Sequence, residues 1–485
     1  MTKLALLLAP LLVAAAPAPT AKIDRDLRAL VAPVSEARLR ADVDRLVSFG
    51  TRHTLSSQTH PTRGIGASLR WTEAEFARIA RACGNCLTIA KPSDTVTGRR
   101  VPNPTLVQNV LAIQRGTTDP NRVIVLTGHI DSRVTDVMDF AKDAPGANDD
   151  GSGTVLVIEA ARILSKYKFP ATIVYAVLSG EEQGLLGGKI LANYAKAQGW
   201  QVEANLNNDI VGNSCGSDGV CEPNVVRVFS EAVRGDFTPE LLAQLRSLGG
   251  ENDSPSRNLS RFIDGLADRL KLGLDVRPIW RNDRFGRGGD HTEMLRAGFP
   301  AVRFSVGVED YDHQHQDLRV ENGTKFGDTA DEMDFPYLTK VVRLNIAAAA
   351  ALARAPGPPE PSVEGAVKPD TKVFWEPVSS GFRTVETYMV HRRRTDRQDW
   401  TERTPSNNTC IIVGSPRVPR PNTQRNVVPH RGKSMCTEVL RTIRVDDWVF
   451  GVSSVGSDGY ESPVAAAVPG GAWKPLSKSS GGITQ

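Results

Sequence analysis

The chain has 485 residues, 40% of them apolar and 24% charged, ordinary globular proportions that exclude a wholly disordered or fibrous protein. Its 59 basic and 55 acidic residues leave a net charge of +4, and nothing in that balance calls for nucleic acid, which asks for a concentrated basic stripe. The length suggests roughly two to four domains, and only eight histidines and six cysteines are present to be placed among them.

Residues 1–21 read as a secretory signal. Met1-Thr2-Lys3 gives a short basic start, Leu4 to Ala16 an apolar run, and Ala16-Pro17-Ala18 a small-residue stretch suited to cleavage. That run is short for a membrane span, and no later segment reaches 18 apolar residues. The mature protein is therefore expected to be soluble and secreted or periplasmic, with no integral membrane span. Export places the cysteines in an oxidising setting, and they fall in three close pairs: Cys83/Cys86, Cys215/Cys221 and Cys410/Cys436. An even count there favours disulfides. Cys83-Gly84-Asn85-Cys86 has the spacing of a redox or zinc motif as well, but a second C-x-x-C is missing.

From residue 22 to 354 strands and helices alternate. Val123–Leu126, Thr172–Leu178, Asn205–Ile210 and Ala301–Val306 read as buried strands. Val155–Leu164, Glu240–Leu245 and Leu259–Leu270 read as helices, and Ala347–Ala351 as the end of a short Ala-rich helix. Such alternation predicts an α/β domain with a mixed, largely parallel sheet flanked by helices. Residues 355–369, opening Ala355-Pro356-Gly357-Pro358-Pro359-Glu360-Pro361, read as a stiff linker. Beyond it, Thr387–Arg394, Thr409–Val413, Glu438–Arg444 and Trp448–Val455 are short alternating strands parted by turn residues. The segment 370–468 is thus expected to be a small β-sandwich, and 469–485 a flexible tail.

Five segments of the first domain lie at the ends of apolar strands or in the loops after them. They are Thr127-Gly128-His129-Ile130-Asp131-Ser132, Pro145-Gly146-Ala147-Asn148-Asp149-Asp150-Gly151, Ser179-Gly180-Glu181-Glu182-Gln183-Gly184, Asn207-Asn208-Asp209 and Asp312-His313-Gln314-His315-Gln316-Asp317. Ligands of open parallel sheets sit beyond the carboxyl ends of the strands. Neighbouring loops can therefore bring His129, Asp149, Glu182, Asp209 and His313 to one point. Two imidazoles and three carboxylates suit zinc, with manganese or cobalt as alternatives. Five ligands are too many for one open tetrahedral ion and fit a pair about 3.5–4 Å apart that shares a carboxylate. Hydrolysis at such a pair needs a further carboxylate to move the proton of water, and Glu181 stands beside Glu182. Asp131, two residues after His129, can support an imidazole by hydrogen bonding. Singly these residues are bland: Glu-Glu pairs are mostly solvated, and Asp-Asp-Gly is usually a turn. Five charged segments bordering apolar strands in one domain are not, because buried charge needs a partner.

These segments, in this order from about Leu106 to Asp317, resemble the co-catalytic zinc exopeptidases, the family of bacterial leucyl aminopeptidases, glutamate carboxypeptidase II-like enzymes and glutaminyl cyclases. The resemblance implies a phosphorylase/hydrolase-like α/β fold and two zinc ions per chain. It gives His129 and Asp209 to one ion, Glu182 and His313 to the other, and Asp149 to both as the bridge. Glu181 becomes the general base and Asp131 the residue that orients His129. His313 is preferred to His315 because His-x-x-x-Asp through Asp317 is the family spacing, and Asp149 to Asp150 because the bridging Asp directly follows the Gly-x-(Asn/Asp) segment. Gly289-Asp290-His291 resembles the family's Asp-His segment, with Asp290 as a support. Where some relatives carry a tyrosine before the last histidine, this chain has Asp312, with Tyr311 one place earlier. The closing run Asp446–Val452 with Gly456–Pro463 is similar to the last strands of a fibronectin type III domain; a partner for that domain is not legible.

Other chemistries find less support. Gly212-Asn213-Ser214-Cys215-Gly216 matches G-x-S-x-G, but the strand-turn-helix elbow that motif needs is missing from a stretch running on to Cys221 and Pro223. Arg392-Arg393-Arg394 reads as a solvated strand face rather than an anion site. A non-catalytic binding protein of the same fold would be marked by lost ligands, and here all five positions are filled. The expected protein is an exported metallo-exopeptidase acting on peptides, an aminopeptidase first, with carboxypeptidase and glutaminyl cyclase as alternatives. Arg281, Arg284 and Arg287 are candidates for a pocket that selects between them.

Overall fold

Val123 to Leu126 are all branched apolar residues, and the strand they belong to, Asp119–His129, shows how such a run is buried on both sides. In the computed structural model, which describes residues 19–378, 385–406, 408 and 435–467, side chains alternate across this strand. Ile124 and Leu126 pack among residues of helices Gly151–Leu164 and Phe335–Arg354. Val123 and Val125 pack on the opposite face with Leu191 and Ala195 of helix Leu186–Ala197. The strand is one of eight in a mixed sheet. Its four central members, Ala171–Leu178, Asp119–His129, Gln201–Asn208 and Ala301–Val306, are neighbours and parallel. Val110–Gln114 and Thr88–Ala90 extend one edge antiparallel. On the other edge Val225–Ser230 is antiparallel to Ala301–Val306, and Asp275–Ile279 runs parallel to Val225–Ser230. The largely parallel α/β sheet expected from the sequence is present.

Parallel, adjacent strands put their carboxyl ends on one side of the sheet. Four loops leave there, after His129, Leu178, Asn208 and Val306. Helix Gly151–Leu164 begins at the same end, where Asp150 accepts a hydrogen bond from the Gly153 amide (2.9 Å). The helix sits very close to the sheet: a Cβ on Gly153 would stand 2.1 Å from the Asn208 carbonyl oxygen. Only glycine allows that approach.

Two readings are corrected. Ala347–Ala351 does not end a short helix but lies in a 20-residue one, Phe335–Arg354, capped by Asp334 and buried almost all round. A helix without a polar face shows no amphipathic period, which hides its length. Among the described residues no helix is long and apolar enough to cross a membrane. The 355–369 stretch is not a free linker either. Ala355 is buried, and Glu360–Glu364 is an edge strand paired with Thr371–Glu376. Its one proline, Pro361, is tolerated because an edge strand need not donate on its outer side.

The carboxyl-terminal part is two small antiparallel sheets. One orders Glu360–Glu364, Thr371–Glu376 and Cys436–Leu440; the other orders Glu402–Pro405, Val385–Arg394, Trp448–Gly456 and Ala465–Ala467. Val363, Val373, Trp375 and Cys436 of the first meet Tyr388, Val390, Phe450 and Val452 of the second in one core. The strand expected over Glu438–Arg444 ends at Leu440, before Thr442 turns with φ +59°. These sheets are tied to the larger part. Arg393 pairs with Asp253 (2.5 Å), Arg261 donates to the Gln398 carbonyl (2.6 Å) and Trp400 to Asn258 (3.2 Å). Disulfides join Cys83 to Cys86 and Cys215 to Cys221. Cys410, the strand expected over Thr409–Val413, most of the signal segment 1–21 and the tail 469–485 lie outside the described residues.

Candidate metal centre

His129 closes its strand with the backbone amide held by Asp150 Oδ2 (2.9 Å) and the ring Nδ1 3.0 Å from the Asp131 carbonyl oxygen. The Asp131 carboxylate is farther from Nδ1, at 3.6 Å. Its work is instead to organise the next loop: Oδ1 accepts from the Glu181 amide (3.2 Å), and Oδ2 from the Glu182 amide (3.1 Å) and the Thr54 hydroxyl (2.9 Å). Asp131 thus orients His129 through its backbone and Glu181-Glu182 through its side chain. Asp149 lies between two imidazoles, with Oδ1 3.2 Å from His129 Nε2 and Oδ2 2.8 Å from His315 Nε2. Burial works against its charge, yet His315 and His129 hold its carboxyl well below the ordinary range. Asp209, just past its strand, accepts from Arg303 Nη2 (2.7 Å). Its carboxylate, Glu181 and His129 offer ligand atoms within 4.8 Å of one another, and so do Asp149, Glu182 and His315.

The histidine that meets Asp149 and Glu182 is therefore His315 and not His313. His315 Nε2 is 2.8 Å from Asp149 and 2.9 Å from Glu182. His313 turns away, with Nδ1 2.7 Å from Asp310 and Nε2 3.5 Å from Glu332. The physical reason is the tight turn over residues 311–315, which ends with His315 in the left-handed region at φ +60°. Side chains two apart in such a turn do not share a direction, so a spacing rule alone cannot choose between them. Asp317 does not reach the cluster but holds Lys142 (3.0 Å).

Several supporting residues have no sequence motif to announce them. Asp328 is buried and accepts from the amides of Asn148 (2.8 Å) and Asp149 (2.7 Å), fixing the Asp149 loop; burial pushes its carboxyl up to about 7. Arg52, fully buried, donates to the carbonyls of Ile130 (2.7 Å), Pro145 (2.5 Å) and Gly146 (2.8 Å), so it ties the His129 loop to the Asp149 loop. Gln314 donates to Asp149 Oδ2 (2.8 Å). Arg303 pairs with Asp209 and Asp283 at once. A buried arginine on an apolar strand was the available signal, since such a charge is kept only where it has partners.

Other candidates are settled by their contacts. Asp150 is the helix cap and not a rival to Asp149. Asp290 accepts from the Gly188 amide (2.8 Å) and so supports the helix after the Glu181-Glu182 loop. His291 lies 2.7 Å from the Asn282 carbonyl. Arg284 (3.0 Å) and Arg287 (2.6 Å) are both matched by Glu309, while Arg281 lies over the exposed Phe285 ring. Ser214 donates to Asp334 (2.6 Å) and has no histidine partner among the described residues. Tyr311 is 57% exposed, and Asp312 packs in the turn.

The donor set fits cations. Glu182 Oε1 is buried without a hydrogen bond of its own, although it lies 2.9 Å from His315 Nε2. Arg133 Nη2 lies 2.6 Å from His315 Nδ1, and the other ring nitrogen, Nε2, faces the carboxylates of Asp149 and Glu182. A cation suits that same point. Burial, with Glu182, Asp209 and Asp290 close by, pushes Glu181 well above its ordinary range. Such crowding of carboxylates is what bound cations relieve.

Residues 109–333 match the model of peptidase family M28. A "probable zinc metalloprotease" of Leptosphaeria maculans is 40% identical over 92% of this chain and 98% of its own. One of Pyricularia oryzae is 41% identical over 92% of this chain and 85% of its own. In fold, the crystal structure of Legionella pneumophila LapA matches with a TM-score of 0.50 at 20% identity, over 68% of this chain and 76% of that one. The five-segment resemblance, the site that the segments build and relatives of this similarity agree, and the chain belongs to peptidase family M28.

Proposed function

We propose that this chain is an exported dinuclear zinc exopeptidase, in first place an aminopeptidase. The observation that supports this most is the pair of triads joined by Asp149, one oxygen toward His129 and the other toward His315. His129 and Asp209 would hold one zinc, Glu182 and His315 the other, and Asp149 both. When bound, such a pair supplies the Lewis acidity that peptide hydrolysis needs. The chain's own residues do the rest. Glu181, half-buried and tethered by its amide to Asp131, takes a proton from water at its carboxylate and returns it to the leaving amine. Arg303 keeps Asp209 aimed, and Asp328 keeps Asp149 in place. Manganese or cobalt would suit the same N/O set.

The preference for an amino-terminal over a carboxyl-terminal cut rests on the resemblance of the five segments to the bacterial leucyl aminopeptidases; Arg284 and Arg287 share Glu309 with Arg227. The two carboxyl-terminal sheets are taken as a fibronectin type III-like accessory. A panel of amino-acyl arylamides, carboxyl-terminally cleavable peptides and amino-terminal glutamine peptides, each with and without chelator, tests the proposal. Chelator-sensitive release from the arylamides is expected. Turnover of glutamine peptides alone, or no turnover at all, would overturn it.

A further inference from the structure

Among the described residues, the arginines around the candidate centre are held by carboxylates or by several backbone carbonyls, and Arg227, Arg284 and Arg287 share Glu309. Arg133 meets Glu182 (2.9 Å), Arg303 meets Asp209 and Asp283, Arg284 and Arg287 meet Glu309, and Arg52 is saturated by backbone carbonyls. Arg100 is different. It sits at the tip of a projecting hairpin, Ser93–Gly98 with Val101–Gln108, and leans on the centre through one bond, Nη1 to the Glu182 carbonyl oxygen (2.9 Å). Among the described residues no carboxylate pairs with it. A guanidinium has five donors in a planar fork, and one backbone oxygen leaves most of them open. An unmatched, half-buried cation on the backbone of a ligand-bearing residue calls for an anion that arrives from outside.

A short peptide brings such an anion: its terminal α-carboxylate, whose two oxygens match the guanidinium fork. Chain length sets which peptides reach. One residue spans at most about 3.5 Å, so a carboxylate one or two residues past a bond held over the Asp149–Glu182 triad falls beside the Glu182 loop. We propose that Arg100 forms a subsite for the free carboxyl terminus of di- and tripeptides, which makes short peptides the preferred substrates. This rests on the exopeptidase reading above.

The test uses the full, zinc-loaded protein and compares leucyl-leucine with leucyl-leucinamide, alongside leucyl-4-nitroanilide as a substrate lacking any peptide carboxylate. The unsubstituted protein should favour the acid over the amide in kcat/KM by about tenfold, the scale of one charge-assisted pair, with the difference in KM. Arg100→Gln should bring that ratio to about one, and Arg100→Lys should restore part of it. An unsubstituted protein that treats acid and amide alike overturns the subsite. So does an Arg100→Gln variant in which both slow together with the ratio kept, since that is a hairpin tether and nothing more. In either case, chelator-sensitive nitroanilide release leaves the exopeptidase reading standing. Absence of turnover on all three substrates takes down both.

Discussion

Glu181→Gln keeps the side chain's shape and removes its ability to accept a proton. If Glu181 is the base, that variant should retain its zinc and lose about 10²–10⁴ in kcat, the usual worth of general-base catalysis. Metal analysis beside steady-state rates checks it, and near-normal turnover would move the base elsewhere. The two histidines of the last motif give a sharper contrast. His315 stands 2.8 Å from Asp149, while His313 is engaged with Asp310. His315→Ala should lower bound zinc from two ions toward one and abolish turnover; His313→Ala should keep both ions. The reverse pattern in metal content would restore His313 to the site. The structure brings together His129, Asp149, Glu182 and Asp209, of which His129, Glu182 and Asp209 end a strand or open the loop behind one, and Asp149 lies just before the helix Gly151–Leu164. Sequence reading preferred His313, whereas the structure sets His315 beside Asp149 and Glu182, because a turn, not a strand, carries the pair.

At the scale of an element, the helix Gly151–Leu164 sets how close the Asp149 loop lies to the sheet. Gly153 faces the Asn208 carbonyl with no room for a Cβ. Gly153→Ala should therefore destabilise the fold by about 1–3 kcal/mol, in the opposite sense to the gain in helix propensity. Chemical denaturation measures this, and a stabilised variant would mean the helix can slide away at little cost. The strands were legible because fully buried parallel strands read as branched apolar runs. The helix Phe335–Arg354 was only partly so, because burial on every side leaves no period to count. The hairpin that carries Arg100 went unread: its side chains are mostly exposed, and nothing in its pattern tells a projecting ribbon from a loop.

Across the whole molecule, the smaller part is stapled to the larger by buried charge. Removing residues after Pro356 takes Arg393 from Asp253 and Tyr460 from Arg354, so the remaining core should melt several degrees lower. All the proposed ligands stay in that core, and its kcat/KM per zinc-loaded molecule should survive; a folded but inactive core would make the sheets part of the catalytic unit. Within the sheets, Glu461 is bound by His391 (3.2 Å), Ser453 (2.6 Å) and Arg403 (2.8 Å). Burial alone would raise its carboxyl, but His391 and Arg403 bring it down to about 2 from an ordinary 4.5. A depressed carboxylate adds stability that is full above pH 4.5 and drains as pH falls toward 2, here on the order of 3 kcal/mol. Melting temperature should fall over that window, and Glu461→Gln should melt lower at neutral pH and lose much of the slope. An unchanged slope would assign acid sensitivity elsewhere, Glu309 being the next candidate at about 2.

By itself the sequence determined the α/β class, the strand ends and the chemical set of carboxylates and imidazoles, since local pattern and residue type are one-dimensional properties. Only the tertiary structure decided which histidine joins Asp149 and showed Arg100 held by a backbone carbonyl, with no carboxylate beside it among the described residues. It also showed Asp328 and Arg52 holding the loops, and the proline stretch folded into a sheet. Those outcomes depend on directions of side chains in turns and on charges meeting across more than a hundred residues of chain. Charge matching of that kind is settled where segments pack, by the cost of burying a group alone.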